Sequence, residues 1–489
     1  LPGLYVTGNL FRPAGGSGPR AAILNPHGHW RNGRLQHDDV SSPPARCVSF
    51  ARQGYVAFLY DMVGYLDSPG PHEGLGGPVH ELWGVSLMGL QLWNSIRALD
   101  FLTQLPDVDP ERLGCTGASG GATQTLLLTA ADERVRASAP VVMVSAHMQG
   151  DCLCENGPNL RIDTQNLELA ALMAPRPMLL VGATGDWTRN TAEVEYPALQ
   201  AAYRLFDAED RLGCVVMQSD HNYNRASREA VYAFFARWLR DGDGVDDLTE
   251  RPMTIHPDHW RVFPGGTPPE VLPSDEVCVD LIRRTRERVT DSWPRTAAAL
   301  APFRAAYRPV LESALAAHWP DHASVCDLDP ARLDDGTVVE RLVLGRPSQG
   351  DQVPGWLFVP DGWSGRDAVL AVHGAGKQAL FEDGRPGALL QGALSRGWAV
   401  LAPDVFLVGE FQAPSGSTGR DQRARFFSNY NRTDTAWRVQ DVLTSLRYLR
   451  SRATASVRMV GVEAGGLWAI LARALVPNPP PLAADVCGL

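Results

Sequence analysis

The chain has 489 residues, more than one ordinary domain uses, and its 44% hydrophobic and 20% charged residues are those of a globular protein, neither disordered nor fibrous. A formal net charge of −10, with no basic run and no basic helix face, argues against nucleic acid and anionic membrane as partners. No stretch of about 18 apolar residues occurs, so no transmembrane helix is expected.

The chain begins at Leu1 and enters at once a strand-like run, Leu4 to Phe11. The expectation is that a leader has been removed, which leaves a secreted or periplasmic location open. Ala21 to Leu24 reads as a strand ending at Pro26-His27-Gly28-His29, and Tyr55 to Tyr60 as a strand ending at Asp61. Leu82 to Gln104 has helical spacing of apolar residues. Arg112 to Thr116 reads as a short strand running into Gly117. Strands follow at Val135 to Met143, Pro177 to Val181 and Cys214 to Met217, and an amphipathic helix at Arg228 to Leu239. Strands separated by helices predict a mostly parallel sheet covered on both faces.

From Asp241 the texture changes. Asp241 to Asp247 is acidic with glycine, and Phe263 to Pro273 is rich in Pro and Gly, so both read as linker. Ser274 to Trp319 is mainly helical, with Ser274 and Asp275 as candidate N-caps.

The second half then repeats the first. Leu357 to Pro360 matches Leu10 to Pro13, and Val369 to Val372 leads to His373-Gly374 as Ile23 leads to His27-Gly28. Gly461-Val462-Glu463-Ala464-Gly465 matches Gly117-Ala118-Ser119-Gly120-Gly121. Trp93 precedes Ser119 by the 26 positions that also separate Trp437 from Glu463. Matching features at matching offsets indicate a tandem duplication. The expected division is residues 1–240 as a catalytic domain, 241–335 as linker and helical segment, and 336–489 as a degenerate, incomplete second copy.

Gly117 to Gly121 is a G-x-S-x-G between a strand and a helix-compatible run, the context of a nucleophile elbow centred on Ser119. A carboxylate to orient a histidine is expected after a later strand, where Asp186 stands; Asp220 is the alternative. His221 follows the next strand and completes the order Ser, Asp, His. An oxyanion needs two N–H donors. Gly120 follows the nucleophile, and His29 lies in the loop after the early strand, with Trp30 second. Glu155, Arg161 and Trp187 are candidate substrate contacts, since the segments carrying them follow sheet strands.

His27 and His29 form a conceivable metal pair, but the sequence offers no third ligand, and neither metal nor cofactor is expected. Cys152-Leu153-Cys154 is tighter than the usual C-x-x-C, and the eight cysteines fit no zinc spacing. Cys115 and Cys214 read as buried thiols; a disulfide at Cys152 or Cys154 does not follow from spacing.

The set formed by His27-Gly28, Gly117 to Gly121, Ala174-Pro175-Arg176-Pro177, Asp186 and His221 resembles the α/β-hydrolase superfamily. Within it, residues 1–240 resemble the acetylxylan-esterase-like and dienelactone-hydrolase-like branch. The resemblance implies ester hydrolysis through an acyl-enzyme, and its branch implies a carbohydrate ester carrying acetyl or methyl-uronate groups. The substrate would be a small-molecule or polysaccharide ester. The alternatives are a serine peptidase of the same fold and a non-enzymatic binding protein; no propeller-like repeat supports the former. In the second copy Glu463 replaces the serine, and the 26 residues after it are too few for the acid and histidine strands, so that copy reads as non-catalytic and the natural chain is expected to continue.

Overall fold

The computed structural model describes residues 3–15, 18–68, 70, 72–147, 150–240, 248–268, 270–412 and 420–486. The linker expected at Asp241 to Asp247 lies outside them, as do Cys487 and the side chains of the candidate caps Ser274 and Asp275. The chain forms two compact units, Leu1–Asp291 and Ser292–Leu489.

The first unit holds strands β1 (Gly8–Phe11), β2 (Arg20–Leu24), β3 (Val56–Tyr60), β4 (Val108–Ala118), β5 (Val135–Val141), β6 (Met178–Ala183) and β7 (Leu212–Met217). They form one sheet in the order β1-β3-β2-β4-β5-β6-β7, parallel except for β1, which runs antiparallel to β3. Its helices are α1 (Pro43–Arg52), α2 (Pro78–Leu82), α3 (Leu87–Thr103), α4 (Gly120–Ala131), α5 (Asn166–Ala171), α6 (Tyr196–Arg204), α7 (Arg225–Leu239) and α8 (Ser274–Asp291).

The central strands are apolar on both faces because both are covered. Ile23, Ala57, Leu59, Leu179 and Val181 pack with Cys47 and Phe50 of α1 and with Val231, Phe235 and Leu239 of α7. The alternate residues Ala22, Leu24, Val56 and Phe58 pack on the other face with Ala98, Leu99 and Leu102 of α3. Ser42, Ser86 and Asn224 cap α1, α3 and α7 by accepting from the N–H groups of Ala45, Gly89 and Ser227.

Several expectations are corrected in detail. The opening strand starts at Gly8, not Leu4. The helix expected over Leu82 to Gln104 is two helices, because Gly84 turns the chain at φ 68° and Ser86 starts α3 afresh. Cys115 is buried, but Cys214 is only half-buried, because β7 is the edge strand. The stretch after residue 248 is tied into the first unit: Arg34 donates to Trp260 O at 2.8 Å, and Val262 N donates to Asp67 at 2.9 Å.

The second unit begins with α9 (Ala297–Leu315) and holds β8 (Ser324–Arg332), β9 (Val338–Gly345), β10 (Val353–Val359), β11 (Asp367–His373), the small hairpin β12 (Phe381–Glu382) and β13 (Arg385–Pro386), β14 (Ala399–Pro403), β15 (Ser456–Val462) and β16 (Leu482–Asp485). Helices α10 (Ala388–Leu394), α11 (Phe427–Tyr430), α12 (Asp434–Arg452) and α13 (Ala464–Leu475) complete it. Its main sheet runs β8-β9-β10-β14-β11-β15-β16. The last five strands repeat the order β1-β3-β2-β4-β5, with the first again antiparallel to its neighbour. The tandem repeat seen in the sequence is therefore present as topology, preceded by two extra antiparallel strands.

Candidate active site

The site lies along the carboxyl edge of the first sheet, where loops after β2, β3, β4, β5, β6 and β7 end. Ser119 stands between β4 and α4 at φ 56°, ψ −126°, a conformation L-residues rarely hold. The glycines around it are required by contact rather than by flexibility. A Cβ on Gly117 would stand 2.5 Å from Pro26 O and Gly121 O, and one on Gly121 would stand 2.5 Å from Pro26 O. The elbow thus presses its backbone against the loop after β2.

Asp186 follows β6 and is buried. Its Oδ2 lies 2.7 Å from His221 Nδ1, and its Oδ1 accepts from Thr188 N and Thr188 Oγ1, both at 2.5 Å. Burial pushes this carboxyl up, but bonds from His221 and Thr188 outweigh it and hold the group below its ordinary value. The alternative acid, Asp220, is exposed and points its carboxyl toward Gly185. His221 is flanked by Trp187, with ring centroids 4.6 Å apart, and by Trp30 at 6.2 Å. The Trp187 indole N–H is buried and has no hydrogen-bond partner among the described residues. Ser119 Oγ likewise forms no hydrogen bond among them.

In the loop after β2, His27 is fully buried. Burial drives its imidazole down to about 3, so it is neutral, with Nδ1 donating to Gly28 O at 2.7 Å and Nε2 accepting from Met62 N at 3.0 Å. It ties the loop to the end of β3. Trp30 N already donates to Gly28 O, which removes it as an oxyanion donor. Gly120 is the first residue of α4, so its N–H has no acceptor within the helix. The His29 ring lies over Gly120, with Cε1 only 2.5 Å from where a Cβ would stand.

The candidate substrate contacts separate. Glu155 is 2% exposed, 3.9 Å from His29 Nδ1, and burial pushes its carboxyl up to about 7. Arg161 is turned into its own loop, where Nη1 donates to Glu155 O at 3.1 Å and Nε to Asn166 Oδ1 at 3.0 Å; its bonded nitrogens secure that loop. Trp187 alone of the three sits against the catalytic-type histidine.

Sequence reasoning missed one cluster. His29, His72, Cys152 and Cys154 bring one ligand-type atom each to within 4.8 Å of all the others. His27, the expected partner of His29, is spent on the loop instead. The signal that would have found the cluster was the C-x-C, dismissed for its tight spacing; His72 lies 80 positions upstream of Cys152 and shares no local motif with it. The seven described cysteines are free thiols.

Strand order, elbow and acid–base pair give the first unit an α/β-hydrolase fold. Residues 3–230 match the family model described as X-Pro dipeptidyl-peptidase (S15 family). The chain is 26% identical over 247 residues to "Putative hydrolase YtaP" of Bacillus subtilis (strain 168), covering 47% of this chain and 82% of the relative. It is 33% identical over 199 residues to "Polyketide transferase claH" of Penicillium crustosum, covering 40% of this chain and 56% of the relative. Among solved structures it is similar to "Methylesterase BT1017", at 33% identity and a TM-score of 0.49, covering 60% of this chain and 65% of that one.

Proposed function

We propose that the first unit is a serine hydrolase of carboxylic esters, with Ser119 as nucleophile, His221 as general base and acid, and Asp186 as the group that orients and charges the imidazole. The observation that carries this reading is the 2.7 Å Asp186–His221 pair at the ends of β6 and β7, on the same sheet edge as a serine on a strained elbow after β4. His221 Nε2 takes the Ser119 proton as Oγ attacks the ester carbonyl carbon. The N–H groups of Gly120 and His29 hold the resulting oxyanion. The imidazolium returns its proton to the leaving alkoxide, which departs as alcohol. Water, deprotonated by the same histidine, then cleaves the acyl-enzyme to acid and free serine. The hydrogen bond between Ser119 and His221 forms in the substrate complex, since such bonds are often loose without substrate.

The alcohol is proposed to be a carbohydrate. The half-buried Trp30 and Trp187 beside His221 offer flat apolar faces for sugar rings. A peptidase is the second reading, favoured by the S15 family match, whose span includes all three triad residues.

The test is hydrolysis of a small aryl acetate by the wild type and by Ser119→Ala, followed by acetylated xylan and an Xaa-Pro anilide as competing substrates. Loss of roughly a thousandfold or more of aryl-ester turnover in the variant is expected. An undiminished rate would remove Ser119 from the mechanism. Cleavage of the anilide in preference to the polysaccharide would replace the carbohydrate reading with the peptidase one.

A further inference from the structure

We infer that His29, His72, Cys152 and Cys154 form a four-coordinate zinc site beside the catalytic cleft. The four come from three loops at the carboxyl edge of the first sheet: His29 after β2, His72 after β3, and both cysteines after β5. Their Nε2 and Sγ atoms face one another. His29 Nε2 lies 3.0 Å from Cys154 Sγ, and His72 Nε2 lies 3.3 Å from Cys152 Sγ. Zinc–sulfur bonds near 2.3 Å and zinc–nitrogen bonds near 2.0 Å make the edges of such a tetrahedron about 3.3 to 3.8 Å. Every ligand atom of the cluster lies within 4.8 Å of the rest, about 1 Å beyond the longest such edge.

Three further observations point to a metal rather than to four side chains packed by chance. The His72 imidazole is held by the nitrogen that faces away from the sulfurs, and the corresponding nitrogen of His29 has a carboxylate nearby. His72 Nδ1 donates to Val63 O at 2.7 Å, and His29 Nδ1 faces the Glu155 carboxylate at 3.9 Å. A backbone carbonyl or carboxylate on one ring nitrogen, with the other ring nitrogen turned to the ligand centre, is the usual support of a metal-bound histidine. Cys154 N also donates to Cys152 Sγ at 3.4 Å, the kind of N–H bond that supports a thiolate. Finally, Cys154 belongs to an apolar cluster with Leu75, Val85, Leu87 and Leu90, against which Cys152 packs, so one side of the centre is apolar. Two thiolates and two neutral imidazoles around a dication make an uncharged centre, the form that such surroundings tolerate.

Binding exchanges two thiol protons for the metal: Zn²⁺ and two Cys-SH give a dithiolate complex and two protons, and the imidazoles bind as neutral ligands. All four positions are filled by protein, so the centre is a structural clasp. It joins the loop that carries the His29 N–H to the two loops beside it. The consequence for oxyanion binding rests on the proposed hydrolase reading; the metal site does not.

The experiment is metal analysis of the whole chain, purified and dialysed against a weak chelator. About one zinc per chain is expected, falling below roughly a tenth in Cys152→Ser/His72→Ala. Should that variant not fold, the wild type carries the test. Replacing zinc with Co²⁺ is expected to produce the near-ultraviolet thiolate-to-cobalt charge-transfer band and intense visible bands of a tetrahedral site. Zinc is also expected to protect two cysteines from alkylation until a strong chelator is added. A wild type that takes up neither metal, that alkylates equally with and without zinc, or that holds Cys152 and Cys154 as a disulfide would overturn the proposal. So would zinc retained at full stoichiometry by a folded double variant. None of these readouts depends on ester hydrolysis, so failure of the clasp and failure of the hydrolase reading are separately visible.

Discussion

Ser119 and Glu463 hold nearly the same strained backbone, φ 56° with ψ −126° and φ 54° with ψ −132°, each between a strand and the helix that follows it. The elbow geometry has thus been kept in the second unit while the serine has not. Glu463 Oε2 stands 3.8 Å from His373 Nδ1, the histidine that corresponds to His27, whereas no counterpart of Asp186 or His221 occurs among the described residues of that unit. Glu463→Ser is therefore expected to leave aryl-ester turnover of the full chain unchanged, and Ser119→Ala/Glu463→Ser to remain as inactive as Ser119→Ala alone. Steady-state kinetics on the three variants checks this; turnover restored in the double variant would show that the second elbow is chemically competent.

Asp186→Asn keeps the size of the side chain but removes the charge that opposes imidazolium. A fall in kcat of roughly ten-thousandfold is expected at neutral pH. The same carboxyl is held below its ordinary value by His221 and Thr188. Its contribution to stability is present above the unfolded value of about 3.9 and is lost as pH falls through the folded value. The variant should show a flatter acid side in its plot of thermal midpoint against pH. An equally steep acid limb would mean that other carboxylates set it.

Gly121→Ala tests the close approach between the elbow and the loop after β2. The added Cβ would meet Pro26 O at 2.5 Å and His27 O at 2.7 Å, both backbone atoms that cannot rotate away. A loss of about 1 to 3 kcal/mol is expected from overpacking, read by urea denaturation. Activity should fall as well, because the loop that must shift carries the His29 N–H. A variant as stable and active as wild type would show that the two segments are not in contact.

Asp441 lies buried on α12, and burial pushes its carboxyl up to about 8, although Oδ2 accepts from Phe406 N at 2.8 Å. Unfolded, the group ionises near 3.9. The folded state therefore binds one more proton between about pH 4 and pH 8, and stability of the second unit falls as pH rises through that window. Asp441→Asn keeps an oxygen for the Phe406 N–H and removes the titration. Its thermal midpoint is expected to decline by several degrees less than that of the wild type between pH 5 and pH 9; parallel declines would count against a protonated Asp441.

Much of this architecture could be read along the chain because it is written in local patterns. Parallel strands buried on both faces leave apolar runs such as Val56–Tyr60, and a tight strand–helix elbow demands small residues around Ser119, so fold class and elbow are visible without neighbours. The duplication is visible for the same reason, since matching strands keep matching offsets. Element ends were less legible: Gly84 and Ser86 divide one helical pattern in two, and the burial of Cys214 depended on β7 being an edge strand.

Tertiary structure decided what depends on atoms distant in sequence. Asp186 was the expected acid and the adjacent Asp220 the alternative, and the packing of β6 against β7 is what brings Asp186 to 2.7 Å of the ring. Arg161 looked available as a substrate contact, and its loop folds it inward. His72 and Cys152 lie 80 positions apart and meet because β3 and β5 end on the same edge of one sheet. Sequence determines which side chains exist and which face of an element each takes; the sheet order determines which of them share a space, because that order sets which loop ends stand side by side.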